Sequence, residues 1–236
     1  MIPIHILSQP DDTTCGPTSL HAIYNYYGDS ISLKKVIREV SCLGHGGTLA
    51  ANLASHALRR GYRTVLYNYN LSLFDPTWFS DALDAQAISR KLRQQIKIKK
   101  SKKVRKSCLA YLEYLRLGGE VRFEELTLAL LDRYFQKKVP ILTGLSATYL
   151  YACAREFTGP DKRSVYDDVQ GYPMGHFVVL SGFTPGGRRR ILVADPYREN
   201  PHGESLYTVS ARRLIHSILL GVVTYDGNLL IIEPRT

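Results

Sequence analysis

The spacing of apolar residues divides the chain into a helical first part and a strand-rich last part. Residues 14–28 have apolar side chains at helical spacing, which predicts a helix with one buried face. The apolar positions on that face are Leu20, Ile23, Tyr24 and Tyr27. Two more helices are predicted over 33–40 and 49–60, the second after a Gly-rich turn at 44–47, and a strand over 63–69.

The middle and last parts of the chain differ in their periodicity. Between residues 75 and 138, apolar residues recur every three or four positions, which predicts two or three helices. Short apolar runs then predict strands, which lie at 139–143, 177–183, 190–194 and 229–232. Helices first and strands of antiparallel type afterwards indicate an α+β fold. We expect one domain over 1–236 with a helical insertion at about 75–138.

Composition narrows the class of protein. The chain has 236 residues, of which 44% are hydrophobic, enough to bury one sizeable core. It begins without the basic start and apolar run of a secretory signal, so a cytoplasmic protein is expected. No apolar stretch reaches the roughly 18 residues that a membrane-spanning helix needs.

The four cysteines are far apart and include no C-x-x-C pair and no cluster with histidine. This spacing predicts neither a disulfide framework nor a metal site, and no motif for a cofactor is present. Cys42, Cys108 and Cys153 are expected to be small buried apolar residues. Cys15 has different surroundings.

Cys15 lies at the start of the first predicted helix, in Gln9-Pro-Asp-Asp-Thr-Thr-Cys15-Gly-Pro-Thr. Thr13 or Thr14 is suited to cap this helix, and Pro17 to its first turn. The partial positive charge at a helix N-terminus stabilises a thiolate, which makes Cys15 a candidate nucleophile. Attack on a carbonyl also needs donors for the developing oxyanion. The Cys15 N–H and the side-chain amide of Gln9 are the candidates.

A base and a residue to orient it are found near the ends of two successive predicted strands. His176 precedes the first of them, and Asp195 directly follows the second. If the two strands pair in antiparallel fashion through the turn at 184–189, their outer ends lie side by side. His176 and Asp195 would then meet at one edge of the sheet, and Pro196 ends the strand there.

These motifs resemble a known family. Gln9…Cys15-Gly-Pro-Thr, Gly175-His176-Phe-Val-Val-Leu and Ala194-Asp195-Pro-Tyr are similar to the C39-like branch of the papain-like cysteine peptidases, over roughly 1–70 and 139–236. The resemblance implies a papain-like fold, in which the nucleophile starts an N-terminal helix packed on an antiparallel sheet. It implies Cys15 as nucleophile, His176 as base, Asp195 as the residue that orients it and Gln9 as oxyanion donor.

The family also includes exporter-fused peptidase domains, from which this chain departs. Those domains are shorter and are joined to transmembrane and ATP-binding regions, whereas we expect a stand-alone member with an insertion. Cleavage after a double-glycine leader is therefore not implied. The expected activity is a metal-independent and cofactor-independent thiol hydrolase that cleaves a peptide or amide bond through an acyl-enzyme on Cys15.

Two other functions stay open. A papain-like acyl or amide transferase, or a transglutaminase-like enzyme, would use the same site, because an amine can take the acyl group in place of water. An inactive papain-like module that binds an acidic partner would keep the fold without the reactivity.

The expected partner is a peptide or protein substrate. An acidic substrate is one option, because the chain contains a run of basic residues. Residues 90–106 contain ten basic residues and no acidic one, against a net charge of +10 for the whole chain. Such a run is usually a solvated helix face, with an acidic peptide or an anionic membrane surface as alternatives. Nucleic acid is disfavoured because no nucleic-acid-binding motif accompanies the charge. Tyr172 and Tyr197 are expected to pack near strand ends or to line the cleft.

Overall fold

The helices pack against one main sheet, and the predicted α+β class is confirmed. The computed structural model describes residues 1–40, 47–79, 84–158, 164–186 and 190–235. The helices in these ranges are α1 (Cys15–Tyr26), α2 (Leu33–Glu39), α3 (Ala50–Arg59), α4 (Ala85–Ile98), α5 (Lys102–Arg116), α6 (Leu128–Gln136), α7 (Ala147–Tyr151) and α8 (Ala211–Leu220). The strands are β1 (Tyr62–Asn68), β2 (Glu120–Arg122), β3 (Ile141–Ser146), β4 (Glu156–Thr158), β5 (Ser164–Tyr166), β6 (Gly175–Phe183), β7 (Arg190–Ala194), β8 (Leu206–Ser210) and β9 (Asn228–Pro234). Among these helices, none is long and apolar enough to cross a bilayer.

Seven strands form the main sheet in the order β2-β1-β9-β3-β6-β7-β8, and β4 pairs with β5 apart from it. Neighbouring strands are antiparallel except β1 and β2, which run parallel. The expected pairing of the strands that carry His176 and Asp195 is confirmed, because β6 and β7 are antiparallel with Val179 opposite Ala194. Residues 187–189 of the connecting turn lie outside the described ranges.

Helix α1 crosses the sheet at β6. Its residues from Gly16 to Tyr24 are all buried. The Ser19 hydroxyl donates to the Phe177 carbonyl at 3.0 Å, a bond between positions 158 apart in sequence. Gly16 lies close to the side chain of Phe177, where an added Cβ would come within 3.3 Å of the ring. The small residue lets the first turn of α1 approach the strand that carries His176.

The segment 75–138 is helical as predicted, with α4, α5 and α6, but it also contributes to the sheet. Strand β2 pairs with β1, which the helical periodicity did not indicate. The Tyr114 hydroxyl lies within hydrogen-bond distance of the carbonyls of Thr64, at 3.1 Å, and Glu120, at 2.9 Å, so α5 is fixed to both strands. The extent of an insertion at about 75–138 stays a prediction. Residues 44–46 of the Gly-rich turn, and Cys42, lie outside the described ranges.

Candidate active site

Cys15 is the first residue of α1 and is half-buried. Thr14 occupies the N-cap position, but its side chain makes no capping hydrogen bond, contrary to the sequence expectation. Its hydroxyl donates to the Asp11 carbonyl at 3.1 Å instead. Thr13 does not cap the helix either, because its hydroxyl donates to the Asp11 carboxylate at 2.7 Å. The first turn of α1 is thus left without a side-chain cap, so its N–H groups stay open to a bound anion.

His176 lies next to Cys15 and is buried, with 5% of its surface exposed. Its Nε2 donates to Asp195 Oδ1 at 2.8 Å, and the Cys15 side chain lies close enough to act on its pKa. Burial alone would lower the pKa of His176, but the charge and hydrogen bond of Asp195, aided by Cys15, raise the pKa to about 10. The ring therefore prefers the imidazolium form at neutral pH.

Asp195 is completely buried and accepts four hydrogen bonds. Besides His176, Oδ1 accepts from the Tyr197 N–H at 2.9 Å. Oδ2 accepts from the hydroxyls of Tyr151 at 2.7 Å and Tyr207 at 2.6 Å. Burial would raise the pKa of Asp195, but the charge of His176 and these hydrogen bonds lower the pKa overall. The carboxylate is fixed and ionised although no water reaches it.

Tyr151 and Tyr207 were not indicated by the sequence. They come from α7 and β8, neither of which the apolar periodicity predicted. Burial, followed by the Asp195 charge, raises the pKa of both phenols, so both stay protonated and able to donate. A tyrosine in an otherwise apolar strand carries no local signal that its hydroxyl meets a distant carboxylate.

Gln9 lies beside the Asp195 loop, since its N–H donates to the Pro196 carbonyl at 2.9 Å. Its side-chain Nε2 donates to the Asp11 carbonyl at 2.9 Å, and its Oε1 is buried without a hydrogen-bond partner among the described residues. Its oxyanion role stays a prediction, because the contact that its amide makes is with Asp11.

A small cavity of about 100 Å³ opens beside Cys15. Its lining includes Asp12, Gly175, Phe177 and Asp226. Asp226 is buried, with 9% of its surface exposed, and it was not indicated by the sequence. Burial raises the pKa of Asp226 to about 7, although the Thr224 hydroxyl and the charges of Lys103 and His176 act in the opposite direction.

The remaining sequence expectations have mixed outcomes. Tyr197 lies near the site, its ring centre 6.3 Å from that of His176, whereas Tyr172 is 74% exposed and packs on nothing in the core. Cys108 is buried as expected. Cys153 is only half-buried, because it follows α7 at the surface, so the expectation of a buried residue was wrong there.

No family model and no curated protein matches the chain. Solved structures do match it. The peptidase domain of Streptococcus ComA, a bi-functional ABC transporter of a quorum-sensing pathway, is 12% identical with a TM-score of 0.44, over 99% of this chain and 100% of that one. A double glycine motif protease from an AMS/PCAT transporter, in complex with its leader peptide, is 14% identical with a TM-score of 0.44, over 99% and 94%. A C39-like peptidase from Bacillus anthracis is 12% identical with a TM-score of 0.48, over 100% and 97%. These are structures of the type that the sequence motifs resemble.

Proposed function

We propose that this protein is a cysteine hydrolase that cleaves a peptide or amide bond through an acyl-enzyme on Cys15. The observation that supports the proposal is a connected row of side chains. The buried carboxylate of Asp195 holds His176 Nε2 at 2.8 Å, and His176 in turn lies beside Cys15, which starts α1. A nucleophile, a base and an orienting group in this order are what acyl transfer by a thiol requires.

The acylation step follows from this arrangement. With His176 as imidazolium, the Cys15 thiolate attacks the substrate carbonyl carbon, so a C–S bond forms and the carbonyl oxygen becomes an oxyanion. The backbone N–H of Cys15, at the uncapped helix start, is the first donor proposed for that oxyanion. When the C–N bond breaks, His176 gives its proton to the leaving amine. The product is a thioester on Cys15.

Deacylation uses the same groups in reverse. A water molecule loses a proton to His176 and attacks the thioester carbonyl; the C–S bond then breaks, the acid leaves, and the Cys15 thiolate and the His176 imidazolium are restored. Asp195 stays ionised through both steps, because its four hydrogen bonds are fixed by α7, β8 and the strand end. Its role is to keep Nε2 of His176 occupied, which leaves the other ring nitrogen for Cys15 and the substrate.

Gln9 is proposed as the second oxyanion donor. One N–H of its amide is engaged by Asp11, and the other is available for a donor role. Replacement of Gln9 by Ala should lower kcat far more than it raises KM, because an oxyanion donor acts on the transition state. A raised KM with an unchanged kcat would assign Gln9 to substrate binding instead.

The test of the proposal is the pH dependence of Cys15 alkylation by iodoacetamide, measured by peptide mass spectrometry. In the wild type, Cys15 should react much faster at pH 6 than Cys108 and Cys153, because a thiolate–imidazolium pair supplies the reactive form. His176→Gln should remove this advantage. His5→Gln, a change at an exposed histidine outside the site, should keep it.

If Cys15 reacts as slowly as an ordinary thiol at pH 6 in all three proteins, the proposal is wrong and a binding role takes its place. A reactive Cys15 justifies a peptide-library screen with Cys15→Ala as control. Addition of hydroxylamine to that screen separates hydrolysis from transfer, since a transferase would give mainly the hydroxamate product.

A further inference from the structure

The cavity beside Cys15 contains a buried carboxylate that the proposed mechanism does not use. Asp226 follows the 3-10 helix Gly221–Thr224, and the Thr224 hydroxyl donates to its Oδ2 at 2.7 Å. A carboxylate accepts up to about four hydrogen bonds, so one hydroxyl leaves much of its capacity for a bound group. A buried charge with so few hydrogen-bond partners destabilises the folded protein, which indicates that the carboxylate has a function.

The walls of the cavity suit a short chain that ends in a polar group. Leu49 and Phe177 supply apolar surface and are 4% and 2% exposed. Gly47 and Gly175 contribute backbone only. A Cβ at Gly175 would lie 1.9 Å from Asp226 Oδ2, so the carboxylate packs directly on the backbone of the residue before His176. Any side chain at position 175 would displace it.

Charged and titratable groups surround Asp226 on several elements. They are Lys103 and Tyr111 on α5, His176 on β6, and Cys15 with Asp12 at the start of α1. Lys103 is exposed and lies over the Tyr225 ring, 4.2 Å from its centre, so its charge is shared with solvent. His176 is already paired with Asp195. Asp12 adds a second carboxylate to the cavity lining, which disfavours any anionic occupant.

We propose that this cavity is the subsite for the substrate group next to the scissile bond, and that Asp226 selects a short group ending in a cationic amine. This inference rests on the proposed function at Cys15. The apolar walls would accommodate one or two methylene groups, and the ammonium would donate to Asp226 in a charge-assisted hydrogen bond. Asp226 is thus a specificity-determining residue, and the substrates are peptides or amides with a basic or free amino group at this position.

The test uses three methanethiosulfonate reagents that modify Cys15 and differ in charge. Each transfers its alkylthio group to the Cys15 sulfur and releases methanesulfinate, so a disulfide forms and no oxidant is needed. The reagents carry an aminoethyl, an ethyl and a sulfonatoethyl group. The rate of each at Cys15 is divided by its rate with glutathione, and the cationic rate is then compared with the neutral one.

At pH 8 the normalised cationic rate should exceed the neutral rate by about tenfold, as a carboxylate within a few ångströms implies. The preference should shrink at pH 5.5, because Asp226 becomes protonated below a pKa of about 7 while His176, with a pKa of about 10, keeps its charge. Asp226→Asn should lose most of this preference at pH 8, and what remains, from Asp12, should no longer shrink between pH 8 and pH 5.5. Glu125→Gln, an equal change of net charge at an exposed residue outside the cavity lining, should keep it.

The two proposals fail separately in this experiment. A fast but unselective Cys15 at pH 8, or a preference that is undiminished in Asp226→Asn, would overturn the cationic subsite and leave the hydrolase proposal standing. A Cys15 that is as slow as Cys153 with the neutral reagent, yet prefers the cationic one, would support the subsite and refute the hydrolase. If the Asp226 variant does not fold, the change in reagent preference between pH 8 and pH 5.5 in the wild type still tests whether Asp226 forms the subsite.

Discussion

Asp226→Asn should stabilise the protein at neutral pH and do so less at acidic pH. The pKa of this carboxyl is raised from 3.8 to about 7 by burial in the folded protein. Between these values the folded protein holds a proton that the unfolded chain has lost, so the free energy of unfolding falls as the pH rises. A difference of about three pH units corresponds to about 4 kcal/mol. Asparagine does not ionise, so this loss of stability with pH disappears. Its side-chain oxygen can still accept the hydrogen bond from the Thr224 hydroxyl.

The measurement is urea unfolding of the wild type and Asp226→Asn at pH 4, 6 and 8. The difference in the free energy of unfolding, variant minus wild type, should grow with pH by up to about 4 kcal/mol. The contributions of the other titrating groups are the same in both proteins and cancel in this difference. Glu125→Gln should give a difference near zero at every pH. A constant difference for Asp226→Asn across the range would show that the carboxyl titrates normally and would refute the reasoning.

Three further predictions concern the same site. Asp195→Asn should lower the pKa of His176 by about two to three pH units, since a full charge at about 4 Å contributes about 4 kcal/mol at an effective dielectric of 20. NMR titration of the His176 ring measures this pKa, and a change below about one unit would contradict the prediction. Tyr207→Phe removes a 2.6 Å donor from Asp195 and should cost about 1–3 kcal/mol in urea unfolding, whereas a neutral effect would mean that the hydroxyl is dispensable. Gly175→Ala should prevent folding or lower Tm sharply, because its Cβ would lie 1.9 Å from the Asp226 carboxylate. A further Asp226→Ser change should restore part of the lost stability. An unchanged Tm for the single variant would contradict this packing.

The elements that the sequence predicted are those with strong local signals. Helix α1 begins at Cys15 as expected, since an apolar face with Pro17 in its first turn is a local pattern. The β6–β7 pairing was also accessible, because two apolar runs with a short Gly/Pro connection form a hairpin. These two features were enough to predict from the sequence that His176 lies beside Asp195.

The features that the sequence did not predict depend on long-range contacts. Strand β2 is three residues long, and it pairs with β1 because α5 holds it there through Tyr114. Helix α8 has apolar positions at helical spacing but follows strand β8 directly, and no element was predicted over 206–220. Asp226 has no neighbour in sequence that marks it as buried. Its position is set by Gly175, from a different part of the chain.

The helix that starts with Cys15 is fixed to its strand by a hydrogen bond between Ser19 and Phe177, 158 positions apart. During synthesis, at about 5–20 residues per second, the cysteine would wait roughly 8–30 s before the histidine exists. A prematurely ended chain therefore contains an ordinary thiol with no imidazole beside it. The order of residues along the chain thus delays reactivity during synthesis, because the thiol can be activated only after His176 has been added.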